Sequence, residues 1–401
     1  MDLLRTVGNR VQAARHGDGQ QVLTAASGST LNFALENRTT SNNVFAYVTG
    51  LAIDNNNARF LLRADGRTPY FPSSPARVGS QLSEDCAIRL GAPGSTTTVT
   101  IPHLAGGRIY FSIDSPLTFL LNPGPALVEP SISNPSDPNI GIRWDFAEFT
   151  WNASQLFANI TYVDFVCLPI ALTLESESGN TQHISGTAPD GLDRVCNGLR
   201  EQQARDGRRW SNLIVTRNGR NLRALSPNNG ITMDGTLFQG YYQPYVNEVW
   251  AQYSRRELAV NTQAQWGILR GRVANGQLRI ANESFSQPST ADIFSCSTGP
   301  FAATNPPERG ALVARLAAAF NRSTLLNSDI IPAPPNVGRA YQYPITNHYA
   351  RIVHSVNLDG RGYAFPYDDV APDDGRDQSG AVFDSRPRLL RVAVGGQGAY
   401  A

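Results

Sequence analysis

The chain of 401 residues contains no lysine; all 34 of its basic residues are arginine. This absence rules out a P-loop lysine, a Schiff-base lysine and a Ser-Lys dyad. A genome biased toward GC-rich codons accounts for it without any functional cause. A dominant charge of one sign is missing too. A formal charge of +1 and a charged fraction of 17% give no electrostatic case for nucleic acid or an anionic membrane as partner. No run approaches the length of a transmembrane helix. Met1-Asp2-Leu3-Leu4 has neither a basic start nor an apolar h-region, so it is not a signal peptide. Cysteine is scarce: Cys86, Cys167, Cys196 and Cys296 are widely spaced and form no CxxC, which argues against zinc. In an exported protein they would supply one or two disulfides, with three pairings open. The five histidines, His16, His103, His183, His348 and His354, show no HxH or HExxH spacing, so neither a catalytic metal nor any other cofactor is expected. Long amphipathic heptads are absent as well.

What the chain does have is Gly, Pro, Asn, Thr and aromatics in abundance, the usage of a β-rich domain with many turns. Its length allows a large core and two domains. Residues 21–170 read as short strands separated by turn residues, among them Phe45 to Ile53, Arg59 to Arg63, Thr96 to Ile101, Arg108 to Ile113 and Phe119 to Leu121. Asp190 to Arg205, Tyr245 to Val260 and Pro307 to Phe320 read as helices. Asn-Gly pairs at 218, 229 and 275 read as hairpin turns, and Pro332 to Pro335 as a linker. Strand-like composition returns from Arg351 onward. The reading is a discontinuous β domain, 1–174 with 340–401, interrupted by a mixed α/β insertion at 175–339. A groove between two such domains is the usual place for an extended ligand.

Arg143 to Pro169 is the most informative stretch. It reads as two alternating strands turning near Gln155 to Phe157, each carrying one acid: Glu148 on the first and Asp164 on the second. Ala147, Phe149 and Trp151 point one way, while Glu148, Thr150 and Asn152 point the other. If the strands pair, both carboxylates lie on one polar sheet face, an arrangement suited to sugar hydrolysis. The bland alternative is a solvated sheet face.

Ala147-Glu148-Phe149-Thr150, then Tyr162-Val163-Asp164-Phe165 and Leu168-Pro169, resemble a stretch of thaumatin-like proteins. Thr98 to Pro102 with Gly106 to Tyr110, and Tyr363 to Asp369, resemble two more. The chain departs from plain thaumatin-like proteins in its low cysteine count, in its insertion, and in Ser112 where those proteins carry a cleft arginine. With these features it resembles glycoside hydrolase family 64, the thaumatin-like β-1,3-glucanases.

The resemblance implies a mainly β fold: a thaumatin-like sandwich or barrel plus a mixed α/β domain, with a wide groove between them. It also implies inverting, endo-acting hydrolysis of β-1,3-glucan, with Glu148 as general acid and Asp164 as general base. Thr150, Asn152, Phe157 and Thr161 match sugar-contacting positions. Phe146, Phe149 and Trp151 would help Glu148 hold its proton by desolvation, and Asp164 would be wetter and ionised. Inversion needs carboxyls roughly 6.5–9.5 Å apart, against about 5 Å for retention. Paired strands supply about 5 Å directly and about 7–8 Å diagonally, so spacing does not choose between them.

Asp368 and Asp369 are weighed as cleft acids against a capped turn, and the cleft is preferred. Tyr241, Tyr242, Tyr245 and Trp250 are weighed as a sugar-stacking wall against helix-packing core, with Tyr241 and Tyr245 as wall candidates. Five sequons occur, at Asn37, Asn152, Asn159, Asn282 and Asn321. Asn152 shares Glu148's face, so it is expected to stay unglycosylated. The expected partner is β-1,3-glucan, with no nucleic acid and no membrane, bound by a secreted monomer. The rival expectation is a non-catalytic thaumatin-like glucan-binding protein.

Overall fold

The computed structural model describes residues 29–334, 339–373, 375 and 377–396. The readings at Met1 to Leu4, His16 and Pro335 fall outside them.

The alternating stretches do form strands, and two sheets carry most of them. The five-stranded sheet runs β15 (Thr181–Ile184), β14 (Ile170–Ser176), β24 (Pro387–Val394), β1 (Thr30–Asn37) and β7 (Thr96–Pro102). The parallel pairing of β1 with β24 brings the two ends of the described chain into one sheet. The eight-stranded sheet runs β23 (Ala381–Asp384), β12 (Leu156–Ile160), β11 (Arg143–Trp151), β8 (Leu104–Ile113), β2 (Val44–Ala52), β3 (Ala58–Leu62) and β4 (Pro69–Tyr70), with β6 (Ile88–Arg89) beside β2. Phe33 of the first sheet meets Phe149 of the second at 5.1 Å between ring centroids, edge to face. Face-to-face packing of this kind buries one side of each sheet and leaves the other for turns or function. Gly107 permits the approach: a Cβ there would lie 2.5 Å from Phe149 Cζ. A small sheet of β5 (Ser80–Gln81), β9 (Leu120–Asn122) and β10 (Ala126–Val128) lies beside this body.

Between Ile184 and Ala381 the chain leaves these two sheets. It forms α1 (Gly191–Asp206), α2 (Pro227–Met233), α3 (Gln243–Tyr253), α4 (Thr290–Ser295), α5 (Pro307–Arg322) and α6 (His348–Val356). With them come β13 (Phe165–Val166), β16 (Ile214–Arg217) and β17 (Arg220–Leu225) in one sheet. A second holds β18 (Leu258–Asn261), β19 (Ile268–Ala274), β20 (Gln277–Ile280), β21 (Glu283–Phe285) and β22 (Ile330–Ile331).

The departures from expectation have physical causes. The excursion starts later than residue 175 because β15 still pairs with β14. It ends later than residue 340 because His348–Val356, expected as strand from Arg351 onward, is a helix capped by the Asn347 side chain. Asn218-Gly219 and Asn275-Gly276 do turn hairpins, but Asn229-Gly230 lies inside α2, where Ser226 caps the helix and Pro227 opens it. Leu258–Asn261 is strand, although the expected helix continues to Val260. All four cysteines are buried free thiols, so no disulfide forms.

Candidate active site

Period-2 alternation in β11 puts Trp144, Phe146, Glu148 and Thr150 on the face turned away from the five-stranded sheet. Trp144 and Phe146 are covered, Trp144 by Phe165 of β13 at 4.9 Å. Cover thins at Glu148, whose side chain is 24% exposed. Directly opposite it stand Arg108 on β8 and Asn159 on β12, and Arg108 in turn faces Thr49 on β2. Phe157 pairs with Thr150 on one side and with Phe383, 45% exposed, on the other. This face therefore carries a rung of polar side chains beside a pair of aromatics.

The expected hairpin exists, but it turns earlier, at 152–155. Asn152 Oδ1 accepts the Ser154 and Gln155 N–H groups at 2.9 and 3.0 Å and so shapes that turn. Asp164 is not on the second strand. β12 ends at Ile160, and Asp164 sits in a bend just before β13. Thr161, buried, accepts the Val163 N–H at 3.3 Å, so its hydroxyl shapes this bend rather than facing a ligand. The bend is pinned from several directions. The Ser226 N–H donates to the Asp164 carbonyl at 2.9 Å, and the Tyr349 hydroxyl to the Tyr162 carbonyl at 2.6 Å. Asn229 Nδ2 donates to Asp164 Oδ1 at 3.1 Å.

Glu148 senses the charge of Asp164. Burial pushes the Glu148 carboxyl up, Arg108 opposes this, and the charge of Asp164 pushes it further up. Burial raises Asp164 as well, against Arg108 and the Asn229 amide. Asp164 is thus half-buried rather than the wet group expected. Of the aromatics expected to shield Glu148, only Phe146 shares its face, while Phe149 and Trp151 point into the sandwich.

Three expected contacts belong to the core instead. Tyr241 and Tyr245 are 2% and 0% exposed. The Tyr241 hydroxyl donates to the Thr346 carbonyl, and that of Tyr245 accepts the Leu325 N–H. Asp368 is fully buried and accepts from Arg322, His354 Nε2 and the Ala364 N–H at 2.9, 2.8 and 2.9 Å. Burial alone would raise its carboxyl, but His354 and Arg322 outweigh that and hold it below the usual range. Asp369 is half-buried near Arg315.

Sequence reasoning missed Arg108, Glu129, Asn159 and Asn229. Arg108 Nε lies 3.4 Å from Glu148 Oε1 and its Nη1 3.0 Å from Glu129 Oε2. The amide oxygen of Asn159 is buried without a hydrogen-bond partner among the described residues, directly across from Glu148. The available signal was a charged residue inside a strand pattern, but which strand it pairs with is a long-range fact. Among the described residues no group of three or more His, Cys, Asp and Glu could hold a metal ion, and no helix is long and apolar enough to cross a membrane.

One half-buried acid beside an arginine, with a second carboxylate close by, can donate a proton on one side of a bond and polarise water on the other.

Residues 29–394 match the glycoside hydrolase family 64 description, "Beta-1,3-glucanase". A glucan endo-1,3-beta-glucosidase of Cellulosimicrobium cellulans is 29% identical over 310 residues, 75% of this chain and 54% of that protein. The chain thus spans about half the length of that curated relative. A laminaripentaose-producing beta-1,3-glucanase, solved with laminaritetraose, superposes with a TM-score of 0.80 at 32% identity, covering 91% of this chain and 98% of the other. A family 64 beta-1,3-glucanase domain from Clostridium beijerinckii shares the fold, with a TM-score of 0.70 at 22% identity, covering 91% and 98%.

Proposed function

The chain belongs to glycoside hydrolase family 64, the β-1,3-glucanases, and from that premise we propose that it is an endo-acting hydrolase of β-1,3-glucan that inverts the anomeric centre. Glu148 is the general acid: it protonates the departing glycosidic oxygen. Asp164 is the general base: it takes a proton from a water attacking the opposite face of the sugar. The observation that carries the assignment is their shared setting. Glu148 lies where the sheet face opens, and the nearby charge of Asp164 favours the protonated acid. Asp164 keeps hydrogen-bond support for its anion from Asn229.

The two-sheet body is the thaumatin-like domain in this reading, and the excursion forms the second wall of a groove that accepts several sugars. Thr150 and Asn159 hydrogen-bond sugar hydroxyls beside the acid. Phe157, together with Phe383, offers ring faces for the C–H faces of sugars, and Asn152 holds the hairpin that presents them. Asp369 stands as a more distant contact. The enzyme works outside the cell as a monomer. No cofactor enters the scheme.

A reducing-sugar assay on laminarin and curdlan tests the reading. Wild type should release oligosaccharides, while Glu148→Gln and Asp164→Asn should each lose at least about a hundredfold in kcat. A wild type that binds glucan and releases nothing would leave a binding protein, and variants of full rate would displace these two residues from the chemistry.

A further inference from the structure

Arg108 is shared unequally. Its guanidinium, 17% exposed and lying 4.9 Å over the Phe146 ring, makes its short contact with Glu129 at 3.0 Å and its long one with Glu148 at 3.4 Å. The same Nη1 also donates to the Tyr110 hydroxyl at 3.2 Å. Glu129 follows β10 and is anchored on its other oxygen by Thr49 Oγ1 at 3.3 Å. The groups facing Glu148 are therefore Arg108 and Tyr110 from β8, Glu129 from the segment after β10, Asp164 from the bend, and neutral Asn159 from β12 and Thr49 from β2.

Among the described residues, one cation stands among three carboxyl groups in a half-buried cluster. A single guanidinium does not balance three carboxylates out of bulk water, so the acid with the weakest hold on it is the one whose protonated form is favoured. Glu129 holds the shorter contact and the hydroxyl, and Asp164 has the Asn229 amide. Among the described residues Glu148 has only the long contact. We propose that Glu129 is a positioning residue that engages Arg108 and so withholds it from Glu148, leaving Glu148 as the proton carrier. This deepens the reading of Glu148 as general acid and rests on it. It adds a residue that never touches substrate: removing Glu129 frees Arg108 to close on Glu148 and stabilise its anion. Removing Arg108 does the opposite.

Two readouts test the device. In pH profiles of kcat/KM on laminarin, Glu129→Gln should move the basic limb to lower pH by about one unit or more, and Arg108→Gln should move it to higher pH. Thr49→Val, which only loosens Glu129, should shift it in the same direction as Glu129→Gln and by less. Glu129→Asp should restore part of the wild-type profile. Profiles that superimpose after scaling, in variants with wild-type far-ultraviolet circular dichroism, would overturn the proposal. The second readout needs no turnover. In a carboxyl-carbon NMR titration, the Glu148 midpoint should fall in Glu129→Gln, and an unchanged midpoint contradicts the clamp. If wild type hydrolyses nothing, the functional reading fails while this titration still decides the clamp. If Glu129→Gln does not fold, the Thr49→Val midpoint decides it.

Discussion

Asp145 Oδ2 accepts the backbone N–H of Cys167 at 2.9 Å. Its partner bond from the Leu168 N–H measures 3.0 Å. Asp145 stands on the same strand as Glu148, and Cys167 follows the bend that holds Asp164. This one carboxyl therefore ties the strand of the proposed acid to the segment of the proposed base. Because the two acids are not partners on one hairpin, their separation depends on such ties.

Asp145→Ala should cost stability and turnover together. It strands buried N–H donors of Phe146, Cys167 and Leu168. At about 1–3 kcal/mol for each unsatisfied group, a loss of about 3 kcal/mol or more is expected in urea unfolding. Below the new melting temperature kcat should fall by more than KM rises, since the acids lose their spacing rather than the sugars their contacts.

The pH profile should sit above that of ordinary carboxyls. Burial raises Glu148, so its protonated, active form persists above the usual glutamate value of about 4.3. The basic limb moves up accordingly. Asp164 is raised too, so the acidic limb also lies above the usual aspartate value of about 3.9. A basic limb at or below about 4.3 would contradict this ordering.

Asp368→Ala should damage the fold and leave substrate affinity alone. It removes the shared partner of half-buried Arg322 and buried His354, and breaking a buried ion pair from one side costs about 3–5 kcal/mol. Thermal melts of Asp368→Ala and Tyr245→Phe should show the loss, with KM for laminarin unchanged while the enzyme is folded. A raised KM at full stability would return these residues to the groove.

Phe157→Ala and Phe383→Ala should each raise KM for laminarin by roughly three- to tenfold, about 0.7–1.4 kcal/mol in binding. Both rings are partly exposed and paired across strands, so stability should change less than for a core phenylalanine. A double variant no worse than either single one would show that the rings act at one sugar.

Much of this was legible because strand alternation is local. Arg143–Trp151 and its neighbours follow period-2 patterning, which alone puts Glu148 on the polar side. The position of Asp164 was not legible: Thr161, Ser226, Tyr349 and Asp145 set it, and most of these are far away in sequence. Asn229 was misread because Asn-Gly is a strong turn signal, although Ser226-Pro227 just ahead of it carried the stronger helix-start signature. The tyrosines of 241–245 were misplaced because density of aromatics does not distinguish a groove wall from a core; burial does. Arg108 lay in a quoted segment, yet only its pairing with Glu148 gives it meaning.

Proton NMR of the first products from laminarin tests the central claim most directly. Glu148 as acid and Asp164 as base predict new reducing ends that appear as α-anomers and then mutarotate. Initial β-anomers would contradict the account, since retention calls for a carboxylate nucleophile about 5 Å from the acid rather than a base holding water.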